Sequence, residues 1–361
     1  MERELFSNEH INTSRQSEID WGRGLAVLFM VLIHVYSEVR DFMLPEAYSK
    51  ALNFCGGPLA APVFMALLGV GIIYSKNRTP EKLAFRGMML FAANYVLNFL
   101  FTGFPHLIML ARTGDANYST GFWQYTFGVD ILAFAGLTFL FFALVEKLKL
   151  KNAQILLIAL VISVINYIVY IAAIPVHNQA LGAVLGLFFR VNYFAYFPFF
   201  SWAWYPVMGY IFGSFLIRCA DKKVFYIYAF AFSALVVILI TLGSFKYGFD
   251  IWSMHSGAKD DYFHQDFISH ILVSAIFFLW LSLLYGVSQL KIFRLPGEIV
   301  SRWSRNVTVI YFVQWLIIGW VYLLAGDMFG AGSLVFTITG VTVFILSDAT
   351  AWLYLKAKKA I

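Results

Sequence analysis

The sequence predicts an all-α fold: a polytopic integral membrane bundle of about ten transmembrane helices with both termini in the cytoplasm. Three observations predict it. Of the 361 residues, 61% are hydrophobic and 13% charged, with a mean hydropathy of +0.75, whereas soluble domains run about 45–50% apolar and about 25% charged. Ten stretches are apolar over the length a bilayer demands, which is about 20 residues. Lys and Arg alternate from loop to loop in the way that cytoplasmic retention of positive charge requires.

The ten segments, in order, cover roughly 20–39, 57–75, 86–105, 123–146, 153–174, 195–217, 224–245, 267–290, 306–325 and 332–355. Before the first lies "MERELFSNEHINTSRQSE", polar and mixed in charge, with no short apolar stretch and no small-residue cleavage site. The expectation is a cytoplasmic tail over 1–18 and a single integral-membrane domain over 19–361, unbroken by any linker. The last two segments flank "GDMFGAG" and should form a tight hairpin. With the amino terminus inside, only Arg40, Lys50, Arg112, Arg190, Lys246 and Lys259 fall outside, six of the 26 Lys and Arg, and the other 20 face the cytoplasm. A re-entrant helix within 176–193 fits the same count if it returns to its own side. The net charge of +6 therefore reports orientation and no nucleic-acid partner. The outer stretches 40–56, 106–122, 175–194 and 246–266 are long, as functional loops often are. Cys55 and Cys219 belong to opposite sides in this topology, so neither a disulfide nor a cysteine metal site is expected.

The chemistry concentrates in the first span, "DWGRGLAVLFMVLIHV". Arg23 and His34 are 11 residues apart, close to three full turns, so they share one helix face with a rise of about 16 Å between them. Glu38 follows His34 at i+4, within side-chain reach. Each has an ordinary reading: Arg23 snorkelling to headgroups, His34 bonding a neighbouring carbonyl, Glu38 solvated at the helix end. Together they suit more. A guanidinium at the inner face fits a phosphate-bearing donor. An imidazole half a membrane away fits base catalysis on an acceptor arriving from outside. The carboxylate one turn on could fix its tautomer.

These residues also carry a resemblance. "EIDWGRGLAVLFMVLIHVYSEVRDFMLP" resembles the first helix of the membrane acyltransferases. The Arg-x10-His spacing is similar to that of the acyltransferase-3 family, while the continuation, "GGPLAAPVFMALLGVGIIYSKNR" and "FRGMMLFAANYVLNF", resembles the heparan-α-glucosaminide N-acetyltransferase catalytic-domain family. "FGVDILAFAGLTFL", "WYPVMGYIFGSFL" and "RNVTVIYFVQWLIIG" resemble that family's later helices in order. The resemblance implies transfer of an acyl group, acetyl being the expected one, from cytosolic acyl-CoA to a sugar or glycan on the far side. It implies His34 as the base or as a transient acyl carrier. Family members often carry a histidine where this chain has Gln314, which hydrogen-bonds but does not titrate.

Further polar residues lie at membrane depth. Asn94 and Asn98 share a face at i+4, and Asp130, Asn166, His270 and Asp348 lie in later spans. Interhelical hydrogen bonding is the simpler role for Asn166 and His270. Asp130, a carboxylate that must be paired or protonated, joins His34 and Glu38 as a catalytic candidate, with Arg23, His34 or another cation as its partner. Arg302 and Arg305, in "KIFRLPGEIVSRWSR", join Arg23 as candidates for the donor phosphates, against a plain positive-inside role. Arg190, in an aromatic-rich outer segment, and Gln314 are the candidates for acceptor binding. "DIWSMHSGAKDDYFHQDF" holds His255, Asp260, Asp261, His264 and Asp266, but its spacing matches no ligand pattern, so no metal is expected.

The sequence thus points to a membrane-embedded acyltransferase of a bacterial or archaeal cell membrane. Acyl-CoA is its co-substrate, a sugar or glycan its acceptor and membrane lipid its surroundings, with a homodimer left open. The alternative is a transporter or flippase of a sugar or lipid-linked sugar, whose polar residues would line a path. Most ionisable residues lie near span ends, which favours the enzyme.

Overall fold

The structure, a computed structural model, describes residues 5–38, 42–173, 176–248, 260–325 and 331–360. It is all-helical apart from two paired two-residue strands, Phe42–Met43 and Ala331–Gly332. The helices are α1 Ser17–Glu38, α2 Glu46–Gly56, α3 Ala61–Ile73, α4 Pro80–Asn98, α5 Phe104–Thr113, α6 Ala116–Thr126, α7 Ile131–Leu148 and α8 Asn152–Ala172. They continue as α9 Gln179–Gly186, α10 Phe199–Trp202, α11 Trp204–Leu216, α12 Lys222–Tyr247, α13 Phe267–Ser288, α14 Arg294–Ala325 and α15 Ser333–Ala360.

Among the described residues, eight helical segments are long and apolar enough to cross a membrane. They match eight of the ten expected spans. The other two, 195–217 and 306–325, fall on the short pair α10–α11 and on the second half of α14. Among the described residues, the outer stretches 40–56, 106–122 and 175–194 contain helices: α2, α5, α6 and α9 lie in them, α9 within the segment expected to re-enter. The hairpin turn over 326–330 and the loop residue His255 lie outside the described residues. The amino-terminal tail packs on the end of α11, where Asn12 Nδ2 donates to the carbonyl oxygens of Leu216 and Cys219 at 3.0 and 2.6 Å.

Helix starts follow their local chemistry. Thr79 caps α4 ahead of Pro80, and Asp221 and Asp266 accept from backbone N–H groups one turn into α12 and α13. Between α4 and α5 the chain widens into one π turn, Phe99–Gly103, just before Pro105, whose missing N–H interrupts the regular ladder.

Apolar burial drives helices together only weakly in lipid, so small residues decide which backbones approach. α3 crosses α11 at Gly69 and Gly209, where a methyl group would meet the Pro206 and Ala66 carbonyl oxygens. α4 crosses α7 at Gly87 and Gly136, where a methyl on either would sit 2.8 Å from the other's carbonyl oxygen. α1 runs through the middle and packs against α2, α3, α13, α14 and α15. α12 lies outside, burying only Tyr226, Ser233 and Ser244 among its described side chains, so most of its surface faces lipid.

Candidate active site

The loop between α6 and α7 shapes one end of the bundle. Val129 pairs with the 194–197 segment: its N–H donates to Phe194 O at 2.8 Å, and its own carbonyl accepts from Tyr196 and Phe197. From α4, the buried Asn94 and Asn98 both donate to Gly128 O, at 3.1 and 2.9 Å. Their i+4 spacing thus serves to pin this loop. The break puts Asp130 at the N-cap of α7 rather than within a continuous span. Its Oδ1 accepts from Ile131 N at 2.7 Å, and its Oδ2 accepts from the hydroxyl of Tyr311 on α14. The partner of this carboxylate is therefore a phenol, and not Arg23, His34 or another cation as the sequence suggests.

His34 lies beside this pair. Its ring stacks on Trp315 with centroids 4.2 Å apart and meets Tyr311 edge-on at 6.3 Å. Its Nδ1 is 2.8 Å from Nε2 of Gln314. Tyr311, Gln314 and Trp315 follow one another at i, i+3 and i+4, so one face of α14 holds both His34 and Asp130. His34, Ser37, Glu38, Asp130, Tyr196 and Tyr311 line a cavity of about 160 Å³, closed elsewhere mostly by aromatic, aliphatic and small side chains. Glu38 shares the cavity wall with His34, but the ring nitrogen is held by Gln314.

A second, larger cavity of about 550 Å³ opens at the other end, where α1 begins. Arg15, Arg23, Arg86 and Arg305 border it, with Asp20, Tyr74, Ser304 and Thr308. Arg23 crosses to α3 and donates through Nη2 to Leu67 O at 3.0 Å. Arg15 pairs with Asp20, which also accepts from Ser301 and Ser304 at 3.2 and 3.1 Å. A groove of about 440 Å³, with Trp21 and Arg294, adjoins it and shares Asp20 and Arg305. Among the described residues, Phe64 of α3 is the one side chain on the walls of both cavities. Arg23 and His34, on one face of α1, thus border two separate chambers that meet at a phenyl ring.

The structure brings some expected residues together and not others. His34, Glu38 and Asp130 share one cavity, and Arg23 and Arg305 share the other. Arg302 points elsewhere, into an ion pair with Asp348 beside Trp352. Arg190 donates to Ala195 O at 2.8 Å and lies 4.9 Å over the Phe263 ring, one ring removed from the His34 cavity. Gln314 is fully buried behind His34. Asn166 and His270 bond backbone carbonyls of Gln265 and Ser201. Among the described residues no cluster of His, Cys, Asp and Glu could hold a metal. Sequence reasoning missed three contributors: Tyr311, Trp315 and Arg86. Arg86 counted only as a positive-inside residue, and the spacing of Tyr311, Gln314 and Trp315 was the legible sign of a common face.

Fold and site define a multi-pass membrane protein that gathers its cations at one end of the bundle interior and its titratable pair at the other. The chain belongs to the heparan-alpha-glucosaminide N-acetyltransferase catalytic family, whose model matches residues 15–255. It is accordingly a membrane acyltransferase. No curated protein and no solved structure matches it. Arg305, Tyr311 and Gln314 lie beyond the matched residues.

Proposed function

We propose that this protein transfers an acetyl group from cytosolic acetyl-CoA to an amine or hydroxyl of a sugar or glycan on the other side of a cell membrane. The observation that carries the reading is the meeting of the two chambers at Phe64, one lined by arginines and the other by His34 and Asp130. A chamber of about 550 Å³ with an adjoining groove falls in the size range of ligand sites, which is about 300–1,000 Å³.

In this reading Arg23, Arg86 and Arg305 neutralise the donor's phosphates, and the thioester points up the bundle towards Phe64. Arg302 has no part in holding the donor. The acceptor enters the His34 chamber, where Tyr196, Phe194 and Phe263 offer ring faces to a sugar. His34 takes the acceptor's proton as its nitrogen or oxygen attacks the thioester carbonyl. Asp130, held by Tyr311, faces the same space and orients the acceptor.

The test uses the purified protein in detergent. Acetyl-CoA should raise the melting temperature of the wild type and of His34→Ala alike, since it binds in the other chamber. Radiolabelled acetyl transfer to a glucosamine-terminated oligosaccharide should fall about 100-fold or more in His34→Ala. Wild-type transfer by that variant would remove His34 from the reaction. No stabilisation of either protein would remove the donor site and leave a transporter as the better reading.

A further inference from the structure

Gln314 bonds the imidazole of His34, and the chemistry of an amide decides what that imidazole can do. The contact joins Nε2 of Gln314 to Nδ1 of His34 at 2.8 Å. An amide nitrogen only donates, so in this arrangement Nδ1 accepts and the ring proton sits on Nε2. Among the described residues, His34 Nε2 makes no hydrogen bond and Gln314 Oε1, fully buried, has no partner. A neutral ring of this form presents an N–H to the cavity and has no lone pair there with which to take a proton. Rotating the Gln314 amide by half a turn exchanges the two groups in place. Oε1 then accepts from Nδ1–H, and Nε2 is left bare.

We propose that Gln314 is the positioning residue of this site: its amide oxygen holds the ring proton on Nδ1 and so makes Nε2 the base. The inference rests on the acyl-transfer reading and adds to it the residue that selects the tautomer. The step balances without a further reactant. The acceptor's N–H or O–H proton passes to Nε2 as its heteroatom bonds to the thioester carbon. The C–S bond then breaks, and the thiolate takes the proton back from the imidazolium. Through both halves Nδ1 stays protonated and Oε1 stays its acceptor, so the amide need not move during turnover. A carboxylate in this place would do the same with a full charge. An amide does it without burying an ion among Trp315, Phe101 and Ile318.

The substitutions Gln314→Glu and Gln314→Leu separate the alternatives, because glutamate as the anion can only accept from Nδ1–H and leucine can do neither. The first readout is nitrogen-15 magnetic resonance of histidine-labelled protein, with the His34 signal assigned by its loss in His34→Ala. The expected result is a neutral ring protonated at Nδ1 in the wild type and in Gln314→Glu, and at Nε2 in Gln314→Leu. A wild-type ring protonated at Nε2 overturns the proposal, whatever the protein's substrate. The second readout is acetyl transfer. Gln314→Leu should lose kcat about 100-fold or more, within the roughly 10²- to 10⁴-fold range of losing a correctly protonated catalytic base, with the KM for acetyl-CoA unchanged, and Gln314→Glu should recover most of it. Equal loss in both variants, or a KM change alone, also overturns it. Absence of transfer from every form including the wild type would instead count against the acyl-transfer reading and leave the resonance result standing.

Discussion

Tyr311 and Asp130 lie 181 positions apart in the chain, and the Tyr311 hydroxyl donates a hydrogen bond to Asp130 Oδ2. This contact ties α14 to the N-cap of α7 beside His34, and it spans the boundary of the family match at residue 255. It gives the carboxylate a partner without giving the cavity a cation.

Replacing Tyr311 by Phe keeps the ring that meets His34 edge-on and removes the hydroxyl alone. A hydrogen bond to a charged group contributes about 1.5–3 kcal/mol. The expected outcome is a fall in kcat for acetyl transfer of about 10- to 100-fold, the rate equivalent of that energy at about 1.4 kcal/mol per decade, together with a lower melting temperature, because Asp130 loses its partner. Unchanged kcat would mean that Asp130 orients nothing in the reaction.

Arg302 and Arg305 sit three residues apart on one helix and face different surroundings. Arg305 borders the larger chamber, whereas Arg302 pairs with Asp348. Arg305→Ala should therefore raise the KM for acetyl-CoA about tenfold, the loss of one charge-assisted contact of about 1.5 kcal/mol. Arg302→Ala should leave that KM alone and lower the melting temperature, because Asp348 keeps its charge and loses its partner. Donor kinetics and thermal unfolding on the two variants decide it, and a matching KM increase in Arg302→Ala would contradict the assignment.

The crossing of α3 and α11 predicts a stability effect far from any chemistry. A methyl group at Gly209 would run into the Ala66 carbonyl, which is backbone and has no rotamer to yield. Overpacking of this kind costs about 1–3 kcal/mol. Gly209→Ala should unfold at a visibly lower temperature in detergent, while Gly243→Ala, where nothing lies within 4 Å, should not. Equal melting temperatures would show that the two helices do not meet at that point.

Much of the fold was legible because hydrocarbon imposes a simple rule on sequence. A spanning helix has to be apolar over its length, so α1, α7, α8, α12 and α13 announce themselves. Spans failed to read as single helices where the bundle interior supplies backbone partners. Residues 128–130 leave the helix because the 194–197 segment takes both backbone groups of Val129 and the side chains of Asn94 and Asn98 take Gly128 O. The broken span before α7 and the short α10–α11 pair are of this kind, and no local pattern signals a partner so distant.

The candidate site divides along the same line. Its members on a single helix followed from periodicity: Arg23 and His34 lie on one face of α1, and Tyr311, Gln314 and Trp315 recur at the spacing of one turn. What a helix faces does not follow from its own sequence, because the rotation of α14 about its axis is set by packing. The stacking of Trp315 on His34, its tilted contact with Phe101, and the ion pair of Arg302 with Asp348 select that rotation. They carry Gln314 behind the imidazole instead of into the acceptor space.

By itself, the sequence determined that this is an apolar helical membrane protein, that one helix carries a guanidinium and an imidazole on the same side, and that two carboxylates, Asp130 and Asp348, lie at membrane depth. Tertiary structure alone decided that the interior is two chambers meeting at Phe64, that Asp130 is held by Tyr311, and that His34 answers to Gln314. The reason is physical. Composition and period are properties of consecutive residues, whereas a hydrogen bond between groups 181 or 280 positions apart exists only once the packing of whole helices has fixed their distance and angle.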